Sequence, residues 1–297
     1  MIAILEKASV GRPITRDGVS MFPVYIHQGK VRVGLADPST LKVSELPDAE
    51  VPTLVATNDA DVPVLLPAGW IVEGGRQNRV VNVPVLVPEH STIEIPVSCV
   101  EQGRWNGARN FGYGRSVAPR RVRRENARTV ANNLRDMGMK QADQGRIWNT
   151  VADHLDDLGV QDYAHNLLAA EEALFDDRRW AKVDQIIQQG PLPGQNGVVV
   201  THGSRVVTMD IFASEELLAQ AWESLVRGYF SEMAHVTGRP SASKVLRFLK
   251  QFAKADAVEV AGTGAGTEFH VTHPKVTGQV LTADDALIYG SCFAEAA

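Results

Sequence analysis

Ten prolines fall within the first 101 residues: Pro13, Pro23, Pro38, Pro47, Pro52, Pro63, Pro67, Pro84, Pro88 and Pro96. A proline removes a backbone donor and breaks a helix interior, so spacing this tight excludes long helices there. Between the prolines lie short Val/Ile/Leu runs at 23–27, 30–35, 51–57, 62–66, 69–73, 79–87 and 92–100. Runs of that length and composition read as strands of an antiparallel sheet or sandwich.

The chain then changes character. Residues 102–118 form a Gly/Arg-rich loop, long enough to suggest a function. Pro119 suits a helix start, and apolar stripes predict helices through to about residue 190: Val122, Val130, Leu134, Met137; Ile147, Trp148, Val151, Leu155, Leu158; and Tyr163 through Leu167, Leu174, Phe175, Val183 and Ile187. After the Pro191–Gly197 connector come a hairpin at 198–211 turning near Gly203, and a helix from Ser214 to about Ala234. A second helix starts at Ser241 or Ser243, followed by strands at 257–261, 267–272, 276–281 and 286–291. The expected class is α+β. A β-sandwich-like region (1–101) packs on the loop and helices (102–190), and a mixed α/β part (191–297) completes that sheet or forms a second small one. One contiguous domain over 1–297 is expected, because the connector is too short for a free linker.

The net charge of -5 offers no global attraction to nucleic acid. The apolar content excludes a disordered chain, and no apolar run reaches membrane-spanning length. With two cysteines and no signal-like N-terminus, the chain reads as cytoplasmic and without a disulfide scaffold.

The chemistry concentrates between Glu73 and Trp105. In the strand at 92–101, Ile93, Ile95, Val97 and Cys99 alternate onto one face, and Glu101 has the same parity. Pairing Val87 with Ile93, Val85 with Ile95, Val83 with Val97 and Val81 with Cys99 makes that face wholly apolar. It sets Arg79 opposite Glu101, with Cβ atoms roughly 4.5 to 5.5 Å apart, and a one-residue slip would set Asn78 there instead. Glu73, Gln77, Asn78, Arg79, Glu101, Arg104 and Trp105 then converge at one rim. Amides could read a sugar or base edge, guanidiniums a phosphate, and Glu101 a hydroxyl or a water. The bland alternative is an Arg79–Glu101 ion pair closing the sheet end. Cys99, on the apolar face, reads as a small buried hydrophobe.

A second feature is basic. Arg104, Arg109, Arg115, Arg120, Arg121, Arg123, Arg124 and Arg128 carry only one acid among them, Glu125. Several would sit in the first turns of a helix, where cations oppose the macrodipole and an anion would reverse the penalty. With Trp105, Phe111 and Tyr113 interleaved, nucleic-acid binding over 104–128 is one alternative; a solvated helix face is the other. The glycine-rich 262–266 segment lies between strands and reads as a hairpin loop, Asp210 and His202 read as structural, and His270 and His273 point to opposite strand faces, so no metal or other cofactor is expected.

The runs EGGRQNRVVN (73–82) and IPVSCVEQGRW (95–105) resemble the ADP-ribosylglycohydrolase- and rhodanese-phosphatase-associated protein domain family, a bacterial group. The match extends more loosely to Gln144–Trp148 and Met209–Phe212. The family's hallmark positions correspond to Gln77, Asn78, Arg79, Pro96, Ser98, Cys99, Glu101, Gly103, Arg104 and Trp105. The resemblance implies a link to ADP-ribose or NAD metabolism, with partner enzymes acting in trans. It supports a pocket for ADP-ribose or a related nucleotide-sugar group, in which Glu101 is the general base of any hydrolytic step and Glu73, Gln77, Asn78, Arg79, Arg104 and Trp105 bind the ligand. A third reading makes the chain a non-catalytic homo-oligomer whose hallmark residues hold a subunit interface.

Overall fold

A computed structural model describes residues 3–175, 180–232 and 237–295. It is α+β, and its N-terminal strands do not form a sandwich. Six strands close into an antiparallel barrel in the order Ser91–Cys99, Thr53–Asn58, Leu41–Ser44, Asn110–Val117, Trp70–Gly74 and Arg79–Val81. Alternation fills its interior: Leu41, Val43, Leu54, Ala56, Val72, Val81, Ile95 and Val97 all belong to one buried cluster. The second half of the stretch read as a loop at 102–118 is thus barrel strand, Asn110–Val117, while 102–109 is irregular as expected.

The strands near the N-terminus go elsewhere. Ser9–Val10, Ile14–Arg16 and Val19–Tyr25 join Gly197–His202, Arg205–Phe212, Ala286–Ala294, Val276–Ala283, Thr267–His273 and Ala257–Ala261 in a nine-stranded antiparallel sheet. The C-terminal strands therefore neither complete the barrel nor stand as a small separate sheet. A third, four-stranded sheet links Gly34–Leu35, Val64–Leu66, Val85–Val87 and Thr263–Gly264, the last from the glycine-rich segment, which does turn between the paired strands Ala257–Ala261 and Thr267–His273.

Among the described residues six α-helices cover these sheets: α1 (Arg120–Met137), α2 (Gln144–Asp157), α3 (Leu167–Phe175), α4 (Trp180–Gln189), α5 (Glu215–Phe230) and α6 (Ala242–Lys254). The starts of α2, α5 and α6 follow side-chain capping: Asp143 accepts from Arg146 N, Ser214 from Leu217 N and Ser241 from Lys244 N. The expected extension of α5 to Ala234 falls outside the described residues, as do the side chain of Phe175 and residues 176–179. On one face of the large sheet α6 buries Val245, Leu249 and Phe252 against Val199, Met209 and Ile211; the opposite face, through Val198, Val200 and Phe212, meets α5 and the barrel. No helix among the described residues is long and apolar enough to cross a membrane.

The basic start of α1 is resolved internally. Glu232, almost fully buried, accepts Arg121 N at 2.7 Å and Arg120 Nε at 3.0 Å. Burial works to raise its carboxyl, yet Arg120 and the Arg121 N–H hold it below the ordinary range. This acid is the anion that the helix end requires. Arg121 also pairs with Asp157, Arg128 with Glu125, and Arg123 with Asp210. The arginine run is therefore not one solvated positive face.

His154 on α2 lies beside that acid, buried with neither ring nitrogen partnered. Burial is the chief cause that lowers its pKa from 6.5 to about 4. Between those values the unfolded chain binds a proton that the folded chain refuses, so stability falls as pH drops from 6.5 towards 4. The loss reaches on the order of 3 kcal/mol at the acid end. The urea midpoint is expected to decline across this window. In His154→Leu the decline between about pH 6.5 and 5 should disappear, because the depressed carboxyl of Glu232 titrates lower. A wild-type midpoint that is flat over this range contradicts the assignment.

Candidate functional site

The barrel strands place their ends so that one mouth is built from the residues after Ser44, before Thr53, after Gly74, before Arg79, after Cys99 and before Asn110. The two motif runs thus do meet at one end, but in a different register from the expected one. Val97 lies opposite Val81, Ser98 opposite Val80, and Cys99 opposite Arg79. Glu101 follows the strand and bridges Asn166 instead. Strand Ser91–Cys99 spends Ser91 to Pro96 on Thr53–Asn58, while Val85–Val87 peels away to pair with Val64–Leu66. The pairing slipped by two residues, which preserves the face of every side chain.

Glu101 and Arg104 form a clamp. Arg104 donates Nε to Glu101 Oε1 at 2.8 Å and Nη2 to Oε2 at 2.6 Å, and Asn78 N donates to the same Oε2 at 3.1 Å. The remaining Arg104 hydrogens reach the carbonyls of Gly75, Asn106 and Gly74. Its hydrogen bond to Glu101 raises the guanidinium above its ordinary pKa. Asn78 is equally committed: its Oδ1 accepts Gly74 N and its Nδ2 donates to Asn166. Glycine is required where the two loops touch. Gly75 has φ 50° with the Phe111 ring against the place of a Cβ, and Gly107 has φ 135° over the Gly75 carbonyl.

Arg79 is not paired with Glu101. It is wholly buried on the barrel-core side with Val81, donating Nη1 to Gln77 O at 2.8 Å and Nε to Val51 O at 3.2 Å. Burial pushes its pKa down, and the charge of nearby Glu45 among others pulls it back. Its guanidinium carbon lies 5.8 Å from the ring centre of Trp105, and that of exposed Arg76 lies 5.6 Å away. Trp105 itself is 43% exposed. Gln77 donates to Glu101 O at 2.9 Å. Glu73, sharing the outer barrel face with Ile71, stands apart from this group. Cys99 is buried; burial raises its thiol pKa, and its Sγ is 3.2 Å from Glu101 O.

One member was missed by sequence reasoning. Glu45 continues the Leu41, Val43 alternation into the mouth, only 3% exposed, with Oε1 accepting Arg76 N at 2.8 Å. The signal was present in that alternation, but the four-residue strand was too short to stand out.

Among the described residues no group of His, Cys, Asp and Glu is arranged to hold a metal ion. No curated protein matches the chain, and no solved structure does. The family described as the ARG and Rhodanese-Phosphatase-superfamily-associated Protein domain matches residues 7–293, nearly the whole chain, and the protein belongs to that family.

Proposed function

We propose that the chain binds or processes ADP-ribose, or a closely related nucleotide-sugar group, at the barrel mouth formed by the 75–79 and 101–106 loops. The observation that carries this is the exposed Trp105 ring with the guanidiniums of Arg76 and Arg79 against it. Such a ring can stack on a base, and the exposed Arg76 can give up its place on the ring and keep its charge for a phosphate. Membership of a family named for its association with ADP-ribosylglycohydrolases supports the ligand class.

Within this reading Gln77, Arg79 and Trp105 face the ligand, while Asn78, Glu101 and Arg104 hold the loops that present them. Hydrolysis with Glu101 as general base requires Arg104 or Asn78 to release one of its two occupied oxygens first. Enzymes that process the same ligand would act as partners in trans.

Calorimetric titration with ADP-ribose tests the proposal. Wild type should release or absorb heat with a saturable, one-to-one profile. Trp105→Ala should weaken the affinity about 5- to 100-fold, the loss of one base–aromatic stack. No heat and no product from wild type and Glu101→Gln alike would refute the ligand.

A further inference from the structure

We propose that Glu45, Gln77 and Arg79 form a site for the vicinal diol of a ribose, an inference that rests on the nucleotide-sugar reading of the same mouth. Each of the three side chains is nine-tenths or more buried, fixed by some of its polar atoms and unpartnered at one. Glu45 is held through Oε1 by Arg76 N, and Oε2 has no partner. Gln77 is held through Nε2 by Glu101 O, which orients the amide and leaves Oε1 unpartnered. Arg79 is held through Nε and Nη1 by the carbonyls of Val51 and Gln77, and Nη2 is unpartnered. The three lie close together, since Glu45 bonds the residue preceding Gln77, and Arg79 bonds Gln77 and feels the Glu45 charge.

A buried polar atom without a partner has given up its water and gained nothing in exchange. Three in one neighbourhood point to a guest with matching groups. What remains is two acceptors, Glu45 Oε2 and Gln77 Oε1, and one donor, Arg79 Nη2. A vicinal diol supplies two O–H donors for the acceptors and a hydroxyl oxygen for the guanidinium. The charges of Glu45 and Arg79 cancel, so the buried group is neutral and the phosphates lie outside, towards Arg76. Trp105 is exposed beside a wholly buried Arg79, so in this proposal it is the side chain that swings aside to let the sugar reach the guanidinium.

Calorimetry on the full chain tests this with ADP-ribose and two matched pairs: AMP with 2′-deoxy-AMP, and ribose 5-phosphate with 2-deoxyribose 5-phosphate. In the pair whose sugar occupies the site, the ribo form is expected to bind at least about 10-fold more tightly, and Glu45→Gln is expected to bring that ratio close to one. If ADP-ribose binds but neither pair discriminates, the diol site is wrong and the nucleotide-sugar reading stands. A strong ribo preference that survives in Glu45→Gln overturns the assignment to Glu45. If ADP-ribose and all four fragments fail to bind, both fall. The wild-type ratios decide the diol question even if the variant does not fold.

Discussion

Asp210→Ala is expected to lower the stability of the chain by about 3–5 kcal/mol, because it leaves a buried guanidinium without its counter-charge. Asp210 has no exposed surface, and Arg123 is 3% exposed. The carboxylate accepts both Nη atoms of Arg123, the Tyr229 hydroxyl at 2.8 Å and the Tyr289 hydroxyl at 2.6 Å. Burial works against the Arg123 charge, yet Asp210 raises its pKa above the ordinary value. The group ties α1 and α5 to two neighbouring strands of the large sheet, so its loss is felt across the fold. A typical domain has only about 5–15 kcal/mol in total. Thermal melting by circular dichroism should show a fall on the order of 10 °C, or loss of the cooperative transition. The double variant Arg123→Met, Asp210→Leu should recover only part of the loss, because an apolar pair leaves no stranded charge but takes the acceptor from the buried Tyr229 and Tyr289 hydroxyls. A single variant within about 1 kcal/mol of wild type contradicts this account.

Arg104→Ala is expected to be the next most damaging change, at about 2–4 kcal/mol, since the Arg104 side chain retains some exposure. The Glu101 carboxylate, 7% exposed in its side chain, would keep only the Asn78 N–H, and the carbonyls of Gly74, Gly75 and Asn106 would lose their shared donor. Arg104→Lys should rescue little, because an ammonium cannot reproduce the two-pronged contact. Urea unfolding checks both. If Arg104→Ala leaves the midpoint unchanged while abolishing ADP-ribose binding, Arg104 is a ligand contact and not the clamp.

Much of the fold was legible where the information is local. The helix starts at Ser214 and Ser241 and the hairpin turning at Gly203 follow from capping and turn chemistry within a few residues. What failed was non-local. A two-residue slip between Arg79–Val81 and Ser91–Cys99 keeps every apolar side chain on its face, so alternation could not exclude it. The competing partner, Thr53–Asn58, lies more than 30 residues away, and its claim on Ile93 and Ile95 leaves no trace in the motif.

The same holds for charge. The arginine run looked like a surface because its partners are distant: Asp157 lies 36 residues from Arg121, Asp210 lies 87 from Arg123, and Glu232 lies 112 from Arg120. At the site, the motif residues were recognisable but their division of labour was not. Both Arg104 and Arg79 are guanidiniums next to glutamates; only the hydrogen-bond pattern shows that one is spent on Glu101 and the other keeps a free Nη2. Glu45 was the readable omission, an acid at the inward phase of a short alternating strand.

A crystal of the full chain grown with ADP-ribose tests the central claim most directly. The sugar is predicted to lie against Arg79, Gln77 and Glu45 at the barrel mouth, with Trp105 displaced from its present place and in contact with the base. Ordered ligand elsewhere, for example in the cavity of about 580 Å³ between the 26–34 loop and the start of α5, with the barrel mouth unchanged, would contradict it.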